Sequence, residues 1–206
     1  MTVVSGGTTL IDNGTLDAAV PTGKMTLIKT LTASSSDTLS FIDGTDSVVL
    51  DDTYDSYVFK LINIHPETDN VHFSFNLSID GGSNYNVAKT STDFFSAHDE
   101  GDSNTYLDYD TAQDLAQGTG EQEISDASGN DADQNLCGTL TLYNPSSTTF
   151  VKHFISKVDT MQFHNYSRCE FTAGYGNTTS AVNAIRFKFN SGNIDSGVIK
   201  LYGIGG

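Results

Sequence analysis

Several residue classes are scarce in this chain, and each scarcity closes off a class of function. Ten of the 206 residues are Lys or Arg, against twenty-six Asp or Glu, for a formal net charge of −16. The basic residues are scattered, so a phosphate backbone or an anionic membrane surface is repelled; neither nucleic acid nor membrane insertion is expected. Tryptophan is absent, proline occurs three times, and the only cysteines are Cys137 and Cys169. Two thiols in a chain this long make no disulfide framework, and both are expected reduced and buried. Glu, Lys and Arg are sparse together, which argues against helices. No apolar run approaches a membrane span, and Met1 to Leu10 lacks the basic and apolar regions of a signal peptide, so cytosolic synthesis is expected. Also missing are the Gly-x-Ser-x-Gly elbow, the His-Glu-x-x-His helix and the phosphate-binding loop. No catalytic, cofactor-binding or metal-ligating residue is therefore assigned, and a non-enzymatic protein is expected.

What is abundant is strand and turn chemistry. Val71, Phe73, Phe75, Leu77 and Ile79 alternate with His72, Ser74, Asn76, Ser78 and Asp80. Period-two alternation places five apolar side chains on one strand face, leaving the other wet. Burying that face contributes roughly 7–15 kcal/mol before ordering costs. Asp80-Gly81-Gly82-Ser83-Asn84 reads as a hairpin loop that lets Tyr85 to Thr90 pair back. Ser56 to Ile64 is apolar on both faces apart from Lys60 and Asn63, as expected of a central strand, and His65-Pro66 ends it. Further strands are expected at 25–32, 38–42, 48–50, 139–143, 149–158, 169–173, 185–189 and 198–204. Ala33-Ser34-Ser35-Ser36 is expected to break the first of these, and Gly174-Tyr175-Gly176-Asn177 to form a turn. About ten strands near ten-residue spacing predict an all-β, antiparallel two-sheet sandwich of jelly-roll type.

Two segments stand outside that pattern. Residues 1–24 carry turn signals at Ser5-Gly6-Gly7, Asp12-Asn13-Gly14 and Pro21-Thr22-Gly23, and read as an extended N-terminal arm before a sandwich spanning 25–206. Between Lys89 and Lys152 there is no basic residue but twelve acidic ones. Residues 96–135 within it read as a long, mostly surface acidic insertion, with a turn or two of helix at Thr111 to Gln117.

Candidate chemistry is sparse. His65, His72, His98, His153 and His164 have no ligand-spaced partners and are read as structural or solvated. Asp99, Glu100 and Asp102 form one acidic group, and Asp126, Asn130, Asp131 and Asp133 another; both offer oxygen ligands for calcium without matching a calcium-loop order. Tyr106, Tyr109, Tyr166 and Tyr175 could stack on sugars.

Several phrases carry a resemblance: LIKTLTASSS (27–36), DSYVFKLINIHP (55–66), SIDGGSNYNV (78–87), LYNPSSTTFVKHF (142–154), FTAGYGNTTSAVNAIRFKF (171–189) and SGNIDSGVIKLYGI (191–204). In these the chain resembles the small β-sandwich virion proteins of marine tailed bacteriophages, cyanophages included. The resemblance implies a virion structural protein, assembled in the host cytoplasm, that decorates or cements the capsid or belongs to a tail appendage. Its partners would be itself, as a homotrimer by fold-level analogy, and other capsid or tail proteins. The alternatives are a receptor- or glycan-binding fibre head meeting a host surface glycan, and a carboxylate-dependent polysaccharide depolymerase.

Overall fold

The computed structural model describes residues 2–5, 7–12, 15–16 and 25–205, and every regular element among them is a strand. In chain order they begin with β1 (Val3–Ser5), β2 (Thr8–Asp12), β3 (Thr15–Leu16), β4 (Met25–Ser36), β5 (Leu39–Ile42) and β6 (Ser56–Pro66). Then come β7 (Phe73–Ser78), β8 (Lys89–Asp99), β9 (Thr105–Tyr109), β10 (Ala116–Gly118) and β11 (Gln122–Glu123). The last are β12 (Leu136–Tyr143), β13 (Lys152–Met161), β14 (Tyr166–Gly176), β15 (Ala184–Phe189) and β16 (Ile194–Ile204).

Among the described residues β1, β2 and β3 pair only with one another, in a small antiparallel sheet within the expected arm. The turns expected at Asn13-Gly14 and Pro21-Gly23 lie outside the described residues. The body is two antiparallel sheets packed together. Nine strands run β10-β8-β14-β13-β12-β6-β16-β4, with β9 also on the edge of β8; four run β11-β7-β15-β5. The apolar core lies between them. Phe59 of β6 meets Phe41 and Phe187 of the smaller sheet at ring-centroid distances of 5.3 and 5.4 Å, and Phe154 of β13 meets Phe75 at 5.0 Å. Such offset and edge-on aromatic pairs are favoured over face-to-face stacking.

β6 is a central strand flanked by β12 and β16, and it ends at Pro66 as expected. Its pairing shifts register around Asn63, in the left-handed region at φ 50°, which carries the inward pattern from Leu61 to Ile64, and again beside Pro66. Gly197 at φ 121° lies opposite, and a Cβ there would come within 2.5 Å of the Asn63 carbonyl oxygen.

Several local expectations are corrected. Both faces of β7 are buried rather than one. The Asn76 amide donates to the carbonyls of Tyr85, Thr119 and Gly120, and Ser74 donates to that of Lys188, so its polar face is wrapped by backbone instead of water. Ile79 falls outside the strand and is exposed. The 80–84 loop makes no hairpin, because β7 pairs with β15 and β11 while β8 belongs to the other sheet. Residues 48–50 form no strand, although Val48 and Leu50 are buried. β4 runs through the serines to Ser36, held by β16. β14 runs on to Gly176, where a turn was expected. Gly174 permits this, since a Cβ there would lie 2.5 Å from the Thr90 carbonyl oxygen and 2.7 Å from the Phe154 ring. No helix forms at 111–117. Residues 96–135 are stitched into both sheets through β9, β10 and β11, and bury Gln113, Gln122, Ile124, Ser125, Ser128 and Gln134. The reason is geometric: four strands cannot cover nine, and this segment closes the uncovered end.

Candidate functional site

Two neighbouring strands of the larger sheet are inside out. In β8 and β14 the inward positions hold Lys89, Ser91, Asp93, Arg168, Glu170 and Thr172, all buried. Their inward apolar residues are Phe95, under the Arg168 guanidinium, and Ala97, and neither joins the main apolar cluster. Phe94 and Phe171 point outward instead, stacked at 4.9 Å with 3° between ring planes.

That inversion builds an outer face. Directly opposed residues of an antiparallel pair share a face, so pairing register reads off its rows. One row runs Tyr109, Phe94, Phe171, Lys157, Thr139, Lys60 and Lys200 across β9, β8, β14, β13, β12, β6 and β16. The next runs Thr92, Ala173, Ile155, Thr141, Val58, Tyr202 and Leu27. Ile155 is 53% exposed, Tyr109 52%, Leu27 51% and Phe94 43%. The three lysines form no ion pair among the described residues. Two of them lie over aromatic rings instead, Lys157 at 5.2 Å from the Phe171 centroid and Lys60 at 5.5 Å from that of Tyr202.

Behind this face lies a charged cluster. Arg168 donates to Asp110 at 2.6 Å and to Glu170 at 2.9 Å, forms an ion pair with Asp126 at 3.0 Å, and its guanidinium lies 3.6 Å over the Phe95 ring. Asp126 also faces His72 at 3.4 Å, and His72 meets Glu123 at 2.9 Å. The Gln113 amide donates to Glu170 at 2.9 Å, and Thr172 donates to Asp93 at 2.5 Å. Burial pushes the Glu170 carboxyl up to about 8 despite Arg168 beside it. Burial likewise raises Asp93 to about 6, opposed by the Thr172 hydroxyl. His72 is raised, chiefly by its hydrogen bond to Glu123. The Glu170 Oε1 accepts from both Arg168 and Gln113, while its buried Oε2 has no hydrogen-bond partner among the described residues.

Beside Arg168 the inner face opens into a cleft of about 440 Å³, lined by Phe95, Tyr106, Asp126, Gln162 and Tyr166 among others. The tyrosines expected as stacking groups divide into separate places. Tyr106 and Tyr166 meet here with centroids 6.3 Å apart; Tyr109 is on the outer face, its hydroxyl donating to Asp114. Tyr175 lies against His153 at 5.9 Å, beside a shallow outer-face hollow of about 370 Å³.

Other candidates are dispersed. Among the described residues no group of three or more His, Cys, Asp and Glu side chains is arranged to hold a metal ion. Asp99 accepts the Ser103 and Asn104 backbone amides, Asp102 faces His98, and Asp126 is turned to Arg168. Cys137 is exposed and Cys169 half-buried, which corrects the expected burial of both. They are free and sit on the outer face two strands apart, both opposite Asp159 of the strand between. Two strand spacings are about 9.6 Å, beyond disulfide reach.

The inverted pair was visible in the sequence only as Arg168-Cys169-Glu170-Phe171-Thr172, a clean alternation that the ordinary inside-apolar rule orients the wrong way. No family model, no curated protein and no solved structure matches this chain.

Proposed function

We propose that this protein is a non-enzymatic bacteriophage virion module of jelly-roll type, which assembles with further copies of itself through the outer face of the nine-stranded sheet and sits on the capsid or a tail appendage. The observation that carries the reading is that outer face: β8 and β14 place Phe94 and Phe171 there while burying charged side chains inside. A lone soluble domain gains nothing by exposing Phe94 and Ile155 while burying Lys89, Asp93 and Glu170. Eight strand positions at about 4.8 Å make the sheet roughly 35 Å across, enough for the ~800 Å² per partner of a stable interface. Charge selects the occupant. Three unpaired lysines line the face of a chain whose net charge is −16, so an acidic edge of a second copy complements it. Such an edge-to-face contact is heterologous, and where the rotation between copies closes it makes a ring, of which a trimer is the smallest. The chain passes repeatedly between sheets, β5 to β6, β6 to β7 and β14 to β15 to β16, which supports the jelly-roll description. The sequence phrases that resemble marine phage virion proteins supply the particle.

The test is copy number per particle, by quantitative mass spectrometry of the purified phage that encodes the chain, paired with sedimentation of the isolated protein. Dozens to hundreds of copies, and an oligomer that Phe94→Asp with Ile155→Asp converts to a folded monomer absent from particles, are expected. A protein missing from particles, or an oligomer indifferent to both substitutions, overturns the reading.

A further inference from the structure

The cleft beside Arg168 faces away from the proposed assembly surface, and its chemistry is of another kind. Tyr106, Ala97 and Arg168 occupy one register row across β9, β8 and β14 on the inner side, and Tyr166 flanks them opposite Asp99. Two tyrosine rings tilted by 34° give flat amphipathic surfaces, and Tyr106 is 45% exposed. Between and below them the cleft presents the Asp126 carboxylate, the Gln162 amide and the Arg168 guanidinium. Its volume of about 440 Å³ lies within the range of small-ligand sites. Aromatic walls with a few fixed donors and acceptors suit a ligand that has apolar faces and hydroxyl edges.

The charge balance narrows the class. Arg168 is the cation of the cleft floor, and the Asp110 and Asp126 carboxylates already pair with it, while the other basic side chain lining the cleft, His164, is exposed at its rim. The guanidinium is thus matched by two carboxylates, and the surrounding chain is strongly acidic, which disfavours a sulfate, phosphate or carboxylate group. We propose that this cleft binds a neutral glycan, with the pyranose faces on Tyr106 and Tyr166 and its hydroxyls on Asp126 and Gln162. The site is independent of the assembly face, so a particle protein or a free one would carry it alike.

The test is a panel of immobilised neutral hexose and N-acetylhexosamine oligosaccharides alongside sulfated and sialylated ones, probed with wild-type protein and variants shown folded by circular dichroism. Wild type should bind within the neutral set. Tyr106→Ala should lower that affinity at least about tenfold, the loss that follows removal of one aromatic stacking surface. Tyr166→Leu, which keeps the position apolar within β14, should do the same, whereas Tyr109→Ala on the opposite face should leave affinity unchanged. Binding to no neutral glycan, preference for the anionic set, or affinity that survives both Tyr106→Ala and Tyr166→Leu overturns the proposal.

Discussion

The two ends of this sandwich solve one packing problem in opposite ways. Under β5, β7 and β15 the larger sheet offers Phe59, Leu61, Leu140 and Phe154, and the gap is filled by apolar contact. Under β8 and β14 it offers Lys89, Asp93, Arg168 and Glu170, and the gap is closed by hydrogen bonds from residues 110–126. Apolar contact is non-directional and roughly proportional to area, so the first end gains stability from nearly every side chain it buries. A buried ionic network gains little net stability, because desolvation offsets most of the attraction, and it serves instead to fix one arrangement. The difference teaches where the fold is held and where a surface is shaped. The polar end can afford outward aromatics because its inward positions are not asked to make a core.

The largest effect should come from the apolar end. The Phe187 ring meets those of Phe41, Phe59, Phe73 and Phe75 at 6.4, 5.4, 6.0 and 6.4 Å. Phe187→Ala should cost about 3–5 kcal/mol through lost transfer energy and the cavity left behind. Equilibrium denaturation in urea measures it. A loss below about 1 kcal/mol would mean that the core is not where the stability lies.

The second effect is a pH slope, and it belongs to the polar end. Glu170 and Asp93 have folded-state values raised to about 8 and about 6, above the ordinary carboxylate range near 4. The folded state then binds more protons than the unfolded one between about pH 4 and 8, so stability falls as pH rises through that window. The raised His72 acts in the same direction, its contribution present below about 6.5 and fading above. Asp80, lowered to about 2 by its hydrogen bonds from Asn84, together with Asp51 and Asp99, acts oppositely: its contribution is present above about pH 4 and fades as acid protonates it. Maximum stability is therefore expected near pH 4–6 rather than at neutrality. Glu170→Gln keeps the neutral shape and should flatten the fall between pH 5 and 8, leaving the variant more stable than wild type at pH 8. Melting temperatures across pH 4–9 decide it; parallel curves for the two proteins would place the slope elsewhere.

The apolar end was readable from the chain and the polar end was not, and the reason is physical. Phe73, Phe75 and Leu77, or Ile185, Phe187 and Phe189, follow the inside-apolar rule, so period-two alternation locates both strands and their buried face. The wet face of β7 was misjudged because alternation reports only which residues differ, and backbone carbonyls can stand in for water at Asn76. Residues 96–135 looked like surface because they carry few apolar side chains, yet Gln113 and Gln122 enter the interior through their amides, which no hydrophobicity pattern reveals. Tyr106 and Tyr166 were singled out as stacking groups, but they are sixty residues apart, and only the β8–β9 and β8–β14 pairings bring them to one cleft.

The smallest effect is the sharpest test of the comparison. Lys89 is fully buried, donates to Asn76 Oδ1 at 2.6 Å and to the Val87 carbonyl at 2.9 Å, and has its ammonium value lowered to about 8 by burial. Below pH 8 the folded protein carries this charge at a desolvation cost that the unfolded chain does not bear. Lys89→Met keeps the length of the side chain, removes that cost, and leaves two acceptors short of one donor. The two changes oppose each other, so a net shift under about 1 kcal/mol at pH 7 is expected. The lowered value also means that wild-type stability should climb between pH 8 and about 10.5, as the unfolded chain alone still holds the proton, and that this climb should shrink in Lys89→Met to the part due to Lys152, which burial also lowers. If Lys89→Met instead cost as much as Phe187→Ala, the buried polar network would be holding the fold, and the two ends of the sandwich would differ in chemistry but not in what they contribute.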